Sequence, residues 1–361
     1  MKEKTVRVGI IGCGGIANRK HLPSLTAIPG VEAVGFYDLR PENARASAEQ
    51  FGTDARVYDS YQQLLADDRI DVVHICTPNG MHAPIAIDAL DAGKHVMCEK
   101  PMATSAADAE KMCEAAKRNG KNLSVSYQNR FRRDSQYVYN MVQKGELGEI
   151  YYAKAHAVRR RGVPAHGYFL NREAQGGGSL IDQGTHALDL TLWLMDNYEP
   201  ESVVGTTYNK LSQFPNAANA WGSWNPAEFE VEEAAMAFIR MKNGATLVLE
   251  NCWAMNILNV DADKSTLCGT LGGIDMVDGL RVNGEHNGKL YVTNVDLYNT
   301  SGIRDYPIEA VDNPYQTEAE AWINAIRTGT RPVVRAEQAL TVARIIDAIY
   351  ESAKTGRQVF L

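Results

Sequence analysis

Two glycines, an alanine and a carboxylate offer the first chemistry in this chain. The stretch Gly12-Cys13-Gly14-Gly15-Ile16-Ala17 follows the apolar run Val8-Gly9-Ile10-Ile11 and carries the spacing G-x-G-x-x-A. Gly12 permits a tight turn, Gly14 lets the backbone approach a pyrophosphate, and Ala17 lets a helix pack close to its strand. The helix that follows would present unpaired amides and a partial positive charge to phosphates, with Gly15 and Ile16 in its first turn. A glycine turn serving only the fold would look the same, so context decides. Asp38 ends the next apolar run, Val34-Gly35-Phe36-Tyr37-Asp38, at about the 20-residue offset of an acid that binds a ribose. A carboxylate there accepts from the ribose hydroxyls and repels a 2′-phosphate of about −1.5 to −2 charges, so NAD is expected rather than NADP. Arg40 leaves an alternative open: a guanidinium can clasp a phosphate or stack on adenine, or simply start a helix in solvent.

Three further motifs stand downstream. Thr77-Pro78-Asn79 with His82 follows one strand-like run, and Glu99-Lys100-Pro101 follows the next. Much later comes Gly176-Gly177-Gly178-Ser179-Leu180-Ile181-Asp182-Gln183-Gly184-Thr185-His186-Ala187-Leu188-Asp189. Together with the glycine turn, these make the chain resemble the glucose–fructose oxidoreductase/inositol dehydrogenase/rhizopine-catabolism (Gfo/Idh/MocA) family over essentially its whole length. The resemblance implies hydride transfer between a nicotinamide and a secondary hydroxyl or carbonyl of a sugar, polyol or glycoside. It implies Lys100, Asp182 and His186 as the catalytic set, and Thr77, Pro78, Asn79, His82, Glu99 and Lys100 along the cofactor. Gln128 and Arg130, in Tyr127-Gln128-Asn129-Arg130-Phe131, resemble the stretch where the family's cofactor and substrate meet. The segment from Arg159 to Phe169 resembles its substrate loop, which makes Arg160, His166 and Tyr168 substrate residues or else rim residues. The family often has tryptophan where His166 stands, so this pocket differs in detail. Two variants of the activity stay open. One is a dehydrogenase that releases its cofactor; the other keeps it bound while forming a 3-oxo sugar. The alternative from another class is a non-catalytic regulator that senses dinucleotide and sugar.

The same residues can be argued from chemistry. Oxidising a secondary alcohol needs a base for the hydroxyl proton, and such a base works best with a pKa near 7. Histidine meets that unaided, whereas lysine needs desolvation or a neighbouring positive charge. On one regular helix, Asp182, His186 and Asp189 would project within roughly 60° of one another at about 100° per residue. Blander readings exist for each. Ser179-x-x-Asp182 fits a capping box, His186 could be a buried structural histidine, and Lys100 an exposed surface lysine. Against them, Lys100 falls at the C-terminal end of a parallel strand, where open α/β sheets bind ligands.

These residues need a frame. The first third alternates strand-like runs (Val6–Ile11, Val31–Tyr37, Ile70–Cys76, His95–Cys98, Leu123–Tyr127) with amphipathic segments (Pro41–Phe51, Ala83–Ala92, Ser105–Asn119). That alternation implies βαβ units and a doubly wound parallel sheet. From about Ile150 longer strands dominate, with an Asn243-Gly244 hairpin signal and one helix from Ser179 to Met195. The expected architecture is α/β: a dinucleotide-binding Rossmann domain over residues 1–128 and an α+β domain over 129–361. The second has a largely antiparallel, open-faced sheet for substrate and oligomerisation. Helices over about 315–355 are expected to pack back on the first domain. An apolar sheet face without helices predicts a homo-oligomer, dimer or tetramer.

Bulk properties exclude several classes. A net charge of −7 gives no electrostatic footprint for nucleic acid. The six cysteines, at 13, 76, 98, 113, 252 and 268, include no C-x-x-C pair, so no metal site is expected. The N-terminal apolar stretch is broken by glycines too early for a signal peptide, and no run reaches the ~20 apolar residues of a membrane span. A cytoplasmic protein without a membrane partner is expected.

Overall fold

The computed structural model describes residues 4–215, 218–297 and 313–361. The chain divides into two compact units: residues 1–128 with 314–343, and residues 129–313 with 344–361. The strands of the first are β1 (Val6–Ile11), β2 (Val31–Tyr37), β3 (Arg56–Val57), β4 (Val72–Ile75), β5 (His95–Cys98) and β6 (Leu123–Val125). Those of the second are β7 (Ile150–Val158), β8 (Pro200–Tyr208), β9 (Ala234–Met241), β10 (Thr246–Cys252), β11 (Asp261–Gly269), β12 (Gly272–Asp275), β13 (Arg281–His286), β14 (Lys289–Asn294) and β15 (Val359–Phe360). The helices are α1 (Leu22–Thr26), α2 (Pro41–Phe51), α3 (Tyr61–Leu65), α4 (His82–Asp91), α5 (Ala106–Asn119), α6 (Arg133–Gln143), α7 (Arg172–Gln175), α8 (Thr185–Met195), α9 (Pro314–Thr328) and α10 (Ala336–Thr355). Among the described residues no helix is long and apolar enough to cross a membrane.

In the first unit the strands lie in the order β3-β2-β1-β4-β5-β6, and every pair is parallel. Helices cover both faces of such a sheet, so its strands read as continuous apolar runs: Val72–Ile75 is buried at every position. The order reverses between β1 and β4, and the crevice beyond the carboxyl ends of those strands is where doubly wound sheets take ligands. On one side Val8, Ile10, Leu22, Leu25 and Phe36 form a core with Trp322 and Ile323 of α9. Arg327 of α9 fastens that helix by donating to the carbonyls of Lys4 (3.2 Å) and Pro29 (2.5 Å).

The second unit holds one nine-stranded sheet, ordered β14-β13-β12-β11-β7-β10-β9-β8-β15. Its pairs are antiparallel except β7 with β10. Strands β9 and β10 join through Lys242-Asn243-Gly244, where Gly244 takes φ +90°, a left-handed conformation that suits glycine. Period-two alternation gives the sheet two unlike faces. Ile239, Leu247 and Leu249 are fully buried, and α8, itself buried throughout, packs against β7 and β11. On the other face Val204 and Phe238 are directly paired and about half exposed.

Four elements differ from the sequence expectation. The two-residue edge strand β3 is too short to show a pattern. Strands β13 and β14 are largely exposed on both faces, so hydrophobicity does not alternate along them. The helix expected from Ser179 to Met195 starts as a π-helical turn, Leu180–Gly184, and becomes regular only in α8.

Candidate active site

In the first unit the ligand-type residues gather at the carboxyl ends of adjacent strands. Gly12 leaves β1 with φ +91°, and a Cβ there would lie 2.6 Å from the Cys76 carbonyl oxygen, so only glycine fits. At Gly14 a Cβ would meet nothing within 4 Å. That open space is what a phosphate group needs against the backbone. Ala17 is buried, and Ala17–His21 forms a π turn before α1. Such turns concentrate at functional sites.

Asp38 lies just beyond β2 and ties the neighbouring loops together. Its Oδ2 accepts from the Cys13 amide (2.7 Å), and its Oδ1 accepts from the Arg40 amide (2.8 Å) and Asn43 Nδ2 (3.3 Å). A carboxylate has about four acceptor sites, so capacity for ribose hydroxyls remains. Arg40 is exposed immediately before α2 and makes no capping bond. Cys13 is inert as a nucleophile: burial, and then the Asp38 charge, push its thiol up to about 12.

The loops after β4 and β5 are fastened to each other. His82 at the start of α4 is wholly buried, with Nδ1 2.7 Å from the Pro101 carbonyl and Nε2 2.9 Å from the Thr77 carbonyl. It therefore holds Thr77-Pro78-Asn79 and Glu99-Lys100-Pro101 side by side, a framework place rather than a ligand surface. Thr77 Oγ1 is buried with no hydrogen-bond partner among the described residues, an acceptor and donor available to a ligand.

Glu99 is turned inward as well. Its Oε1 takes Lys20 Nζ (3.1 Å) and His21 Nε2 (2.7 Å), and its Oε2 accepts from the Lys100 amide (3.1 Å). Lys20 also reaches Ser126 Oγ (2.5 Å), Gln128 Oε1 (3.2 Å) and Glu318 Oε2 of α9 (3.2 Å). His74 Nδ1 lies 3.0 Å from His21 Nδ1. Burial alone would raise the Glu99 carboxyl, but the Lys20 charge and the His21 hydrogen bond hold it well below the usual carboxylate range. Burial would likewise lower Lys20, and the Glu318 and Glu99 charges raise it instead. Burial, then the His21 and Lys20 charges, keep His74 well below the ordinary histidine range. Lys100 itself, half-buried, follows the strand end that this cluster anchors.

In the second unit Asp182 sits in the π turn and His186, nearly buried, one turn on in α8. The capping-box reading fails: Ser179 has helical φ and ψ and makes no side-chain cap. Asp182 Oδ2 instead accepts from the Trp253 indole (3.0 Å). Asp189, three residues beyond His186 in the regular part of α8, is drawn inward instead of being offered to a ligand. Arg130 Nε and Nη2 bind its two oxygens at 2.9 and 2.5 Å, with both side chains fully buried. Burial pushes the Asp189 carboxyl up while Arg130 pulls it down. Arg130, expected at the substrate, is thus a buried clamp. Arg160, His166 and Tyr168 are exposed, with His166 edge-on to Phe169 (5.5 Å between centroids). That loop rests on a small core of Val163, Trp224, Val231 and Trp253. Trp253, Glu232 and Tyr350 were missed from sequence because none belongs to a motif; two adjacent acids opening a strand, Glu232-Glu233, were the one available signal.

The residues present fit a dinucleotide: a turn only glycine can make, open space over Gly14, and an acid after β2. Comparison with known proteins agrees. Residues 6–127 match the family model described as oxidoreductase family, NAD-binding Rossmann fold, and residues 140–361 match its C-terminal alpha/beta domain. The chain belongs to the Gfo/Idh/MocA oxidoreductase family. This family member is 35% identical over its full 361 residues to D-glucoside 3-dehydrogenase of Escherichia coli strain K12, covering 99% of that protein. Inositol 2-dehydrogenase of Salmonella typhimurium is 30% identical over 194 residues, 53% of this chain and 55% of that one. Among solved structures, aldose-aldose oxidoreductase from Caulobacter crescentus, complexed with glycerol, aligns with TM-score 0.80 at 26% identity over 99% of this chain and 100% of that one. Levoglucosan dehydrogenase in complex with NADH and levoglucosan shares the fold, with TM-score 0.83 at 24% identity over 99% of both chains. The protein is an NAD-binding oxidoreductase.

The Glu99 cluster makes a pH prediction. Its carboxyl is lowered from an ordinary value of 4.5, so its contribution to stability is present above that value and lost as pH falls through the lower folded value. Denaturant midpoints measured from neutral pH downward should fall on the acid side in the wild type and fall less steeply in Glu99→Gln. Equal acid slopes would contradict the assignment.

Proposed function

We propose that this oxidoreductase removes a hydride from a hydroxyl-bearing ring carbon of a sugar, polyol or glycoside, with C3 of a glucoside as the first candidate. Support for the position comes from the full-length likeness to D-glucoside 3-dehydrogenase. The observation that carries the reading is the retained set of Lys100 beyond β5, Asp182 on an indole-braced π turn, and His186 in the first turn of α8 that follows it.

NAD, when bound, supplies the hydride acceptor. The turn at Gly12 and Gly14, with Gly15, Ile16 and Ala17, would seat its pyrophosphate on helix-terminal amides. Asp38 would accept from a ribose hydroxyl, with Arg40 near the adenine, and Thr77, Pro78, Asn79 and Gln128 would flank the remainder. Lys100 would hold the reacting hydroxyl and lower its pKa, and His186 would take its proton as the C–H hydride departs. Asp182, held by Trp253, would orient the sugar and the imidazole. Arg160, His166 and Tyr168 would meet the other hydroxyls. Nothing in the site favours a non-catalytic sensor, since every residue the chemistry needs is present.

We further propose that the open sheet face associates with a second copy. Val204, Phe238 and Val248 stand in register across β8, β9 and β10, and α8 lies on the opposite face. No cysteine pair forms a disulfide among the described residues, which suits a reducing cytoplasm.

With glucosides as substrate and NADH absorbance as readout, His186→Ala should lower kcat/KM by about 10²–10⁴-fold while NADH affinity is kept. Undiminished turnover would remove the acid/base assignment. Light scattering should find an oligomer that Phe238→Asp shifts toward monomer; a monomeric wild type at working concentration would defeat the interface.

A further inference from the structure

The run Gly176-Gly177-Gly178 opens the reactive helix, yet its last two members are not free to be anything else. A Cβ on Gly177 would lie 2.0 Å from the Tyr350 hydroxyl, and one on Gly178 would lie 2.0 Å from the Glu232 carbonyl oxygen. Both intruders come from elsewhere in the second unit: Glu232 just precedes β9, and Tyr350 is on α10.

Glu232 takes up the amides at the helix start. Its carboxylate accepts from Gly178 N (3.0 Å) and Leu180 N (3.0 Å), and its carbonyl accepts from Ser179 N (3.0 Å). Tyr350 donates its hydroxyl to the same Oε1 at 3.0 Å. One residue therefore satisfies three consecutive amides that a helix start would otherwise leave orphaned. Ser179, the obvious cap by sequence, makes no cap bond. The acid sits at the positive end of the helix, which favours its charge, and it is almost fully buried.

We propose that Glu232 and Tyr350 are positioning residues for the reactive helix: they fix the start of the π turn, and with it where Asp182 and His186 are presented. The inference rests on the proposed roles of that pair. Its geometric basis is the close approach at Gly177 and Gly178, which leaves the first turn no room to rotate while both groups are in place. Trp253 holds the same turn from Asp182, so the helix start is gripped at its amides and at its carboxylate.

The test uses Tyr350→Phe, which removes one hydroxyl and leaves the ring, and Glu232→Gln, which keeps one acceptor. A hydrogen bond to a charged group is worth enough to expect kcat to fall roughly tenfold in Tyr350→Phe, with KM for NAD nearly unchanged and the thermal midpoint lowered by only a few degrees. Hydrogen exchange at residues 178–184 should quicken while the sheet is unaffected. Glu232→Gln should lie between wild type and Glu232→Ala in both readouts. If kcat stays within about twofold of wild type and exchange is unaltered, the proposal is wrong. A uniform rise in exchange with a midpoint fallen well beyond that would also overturn it, since that marks general destabilisation. Loss of the functional reading looks different: His186→Ala would keep full turnover, while local exchange at 178–184 would still answer to Tyr350.

Discussion

A carboxylate accepting from the main chain of a loop that carries chemistry is the interaction on which the rest of this molecule depends. It occurs at three of the four motifs, the Thr77 loop being held by His82 instead. Asp38 takes the Cys13 amide in the glycine turn, Glu99 takes the Lys100 amide after β5, and Glu232 takes the Gly178 and Leu180 amides before α8. Each loop departs from regular structure and would leave amides unpaired in poorly hydrated surroundings, where an orphaned group costs about 1–3 kcal/mol. An ionised acceptor satisfies them more strongly than a neutral one and fixes direction as well.

The acids differ in what offsets their own burial. Asp38 is only half-buried. Glu99 is neutralised by Lys20, which brings in Glu318 from α9, so a helix far along the chain contributes to the strand end that bears Lys100. Glu232 has no cation bonded to it in the described contacts and relies on amides and a phenol; burial accordingly pushes its carboxyl up. The Arg130–Asp189 clamp follows the same logic from the other side: a bidentate pair is the arrangement in which a guanidinium tolerates full burial.

Sequence alone made much of this legible. The glycine turn, Asp38 and the alternation of strands with helices specified the parallel sheet, because backbone sterics and periodicity are local properties. The family-type motifs were visible for the same reason. What stayed hidden depended on tertiary partners. Ser179-x-x-Asp182 looks like a capping box until Glu232 and Trp253 are seen to take both jobs. Regular helical spacing grouped Asp189 with Asp182 and His186, and the buried pairing with Arg130 takes it out of that group. Arg130 is a substrate candidate only through the resemblance of residues 127–131 to the family's stretch, and only the fold supplies the acid that buries it. Strands β11 to β14 carry too little alternating apolarity for periodicity to announce them.

The proposed chemistry requires Lys100 and His186 to serve one substrate hydroxyl together. A crystal structure of the protein with NAD and a bound glucoside tests it most directly. The prediction is a ring hydroxyl within hydrogen-bond reach, about 2.6–3.2 Å, of both the Lys100 ammonium and the His186 imidazole, its carbon facing the nicotinamide. A well-ordered sugar that touches only one of these side chains, or turns its carbon away from the nicotinamide, would contradict it.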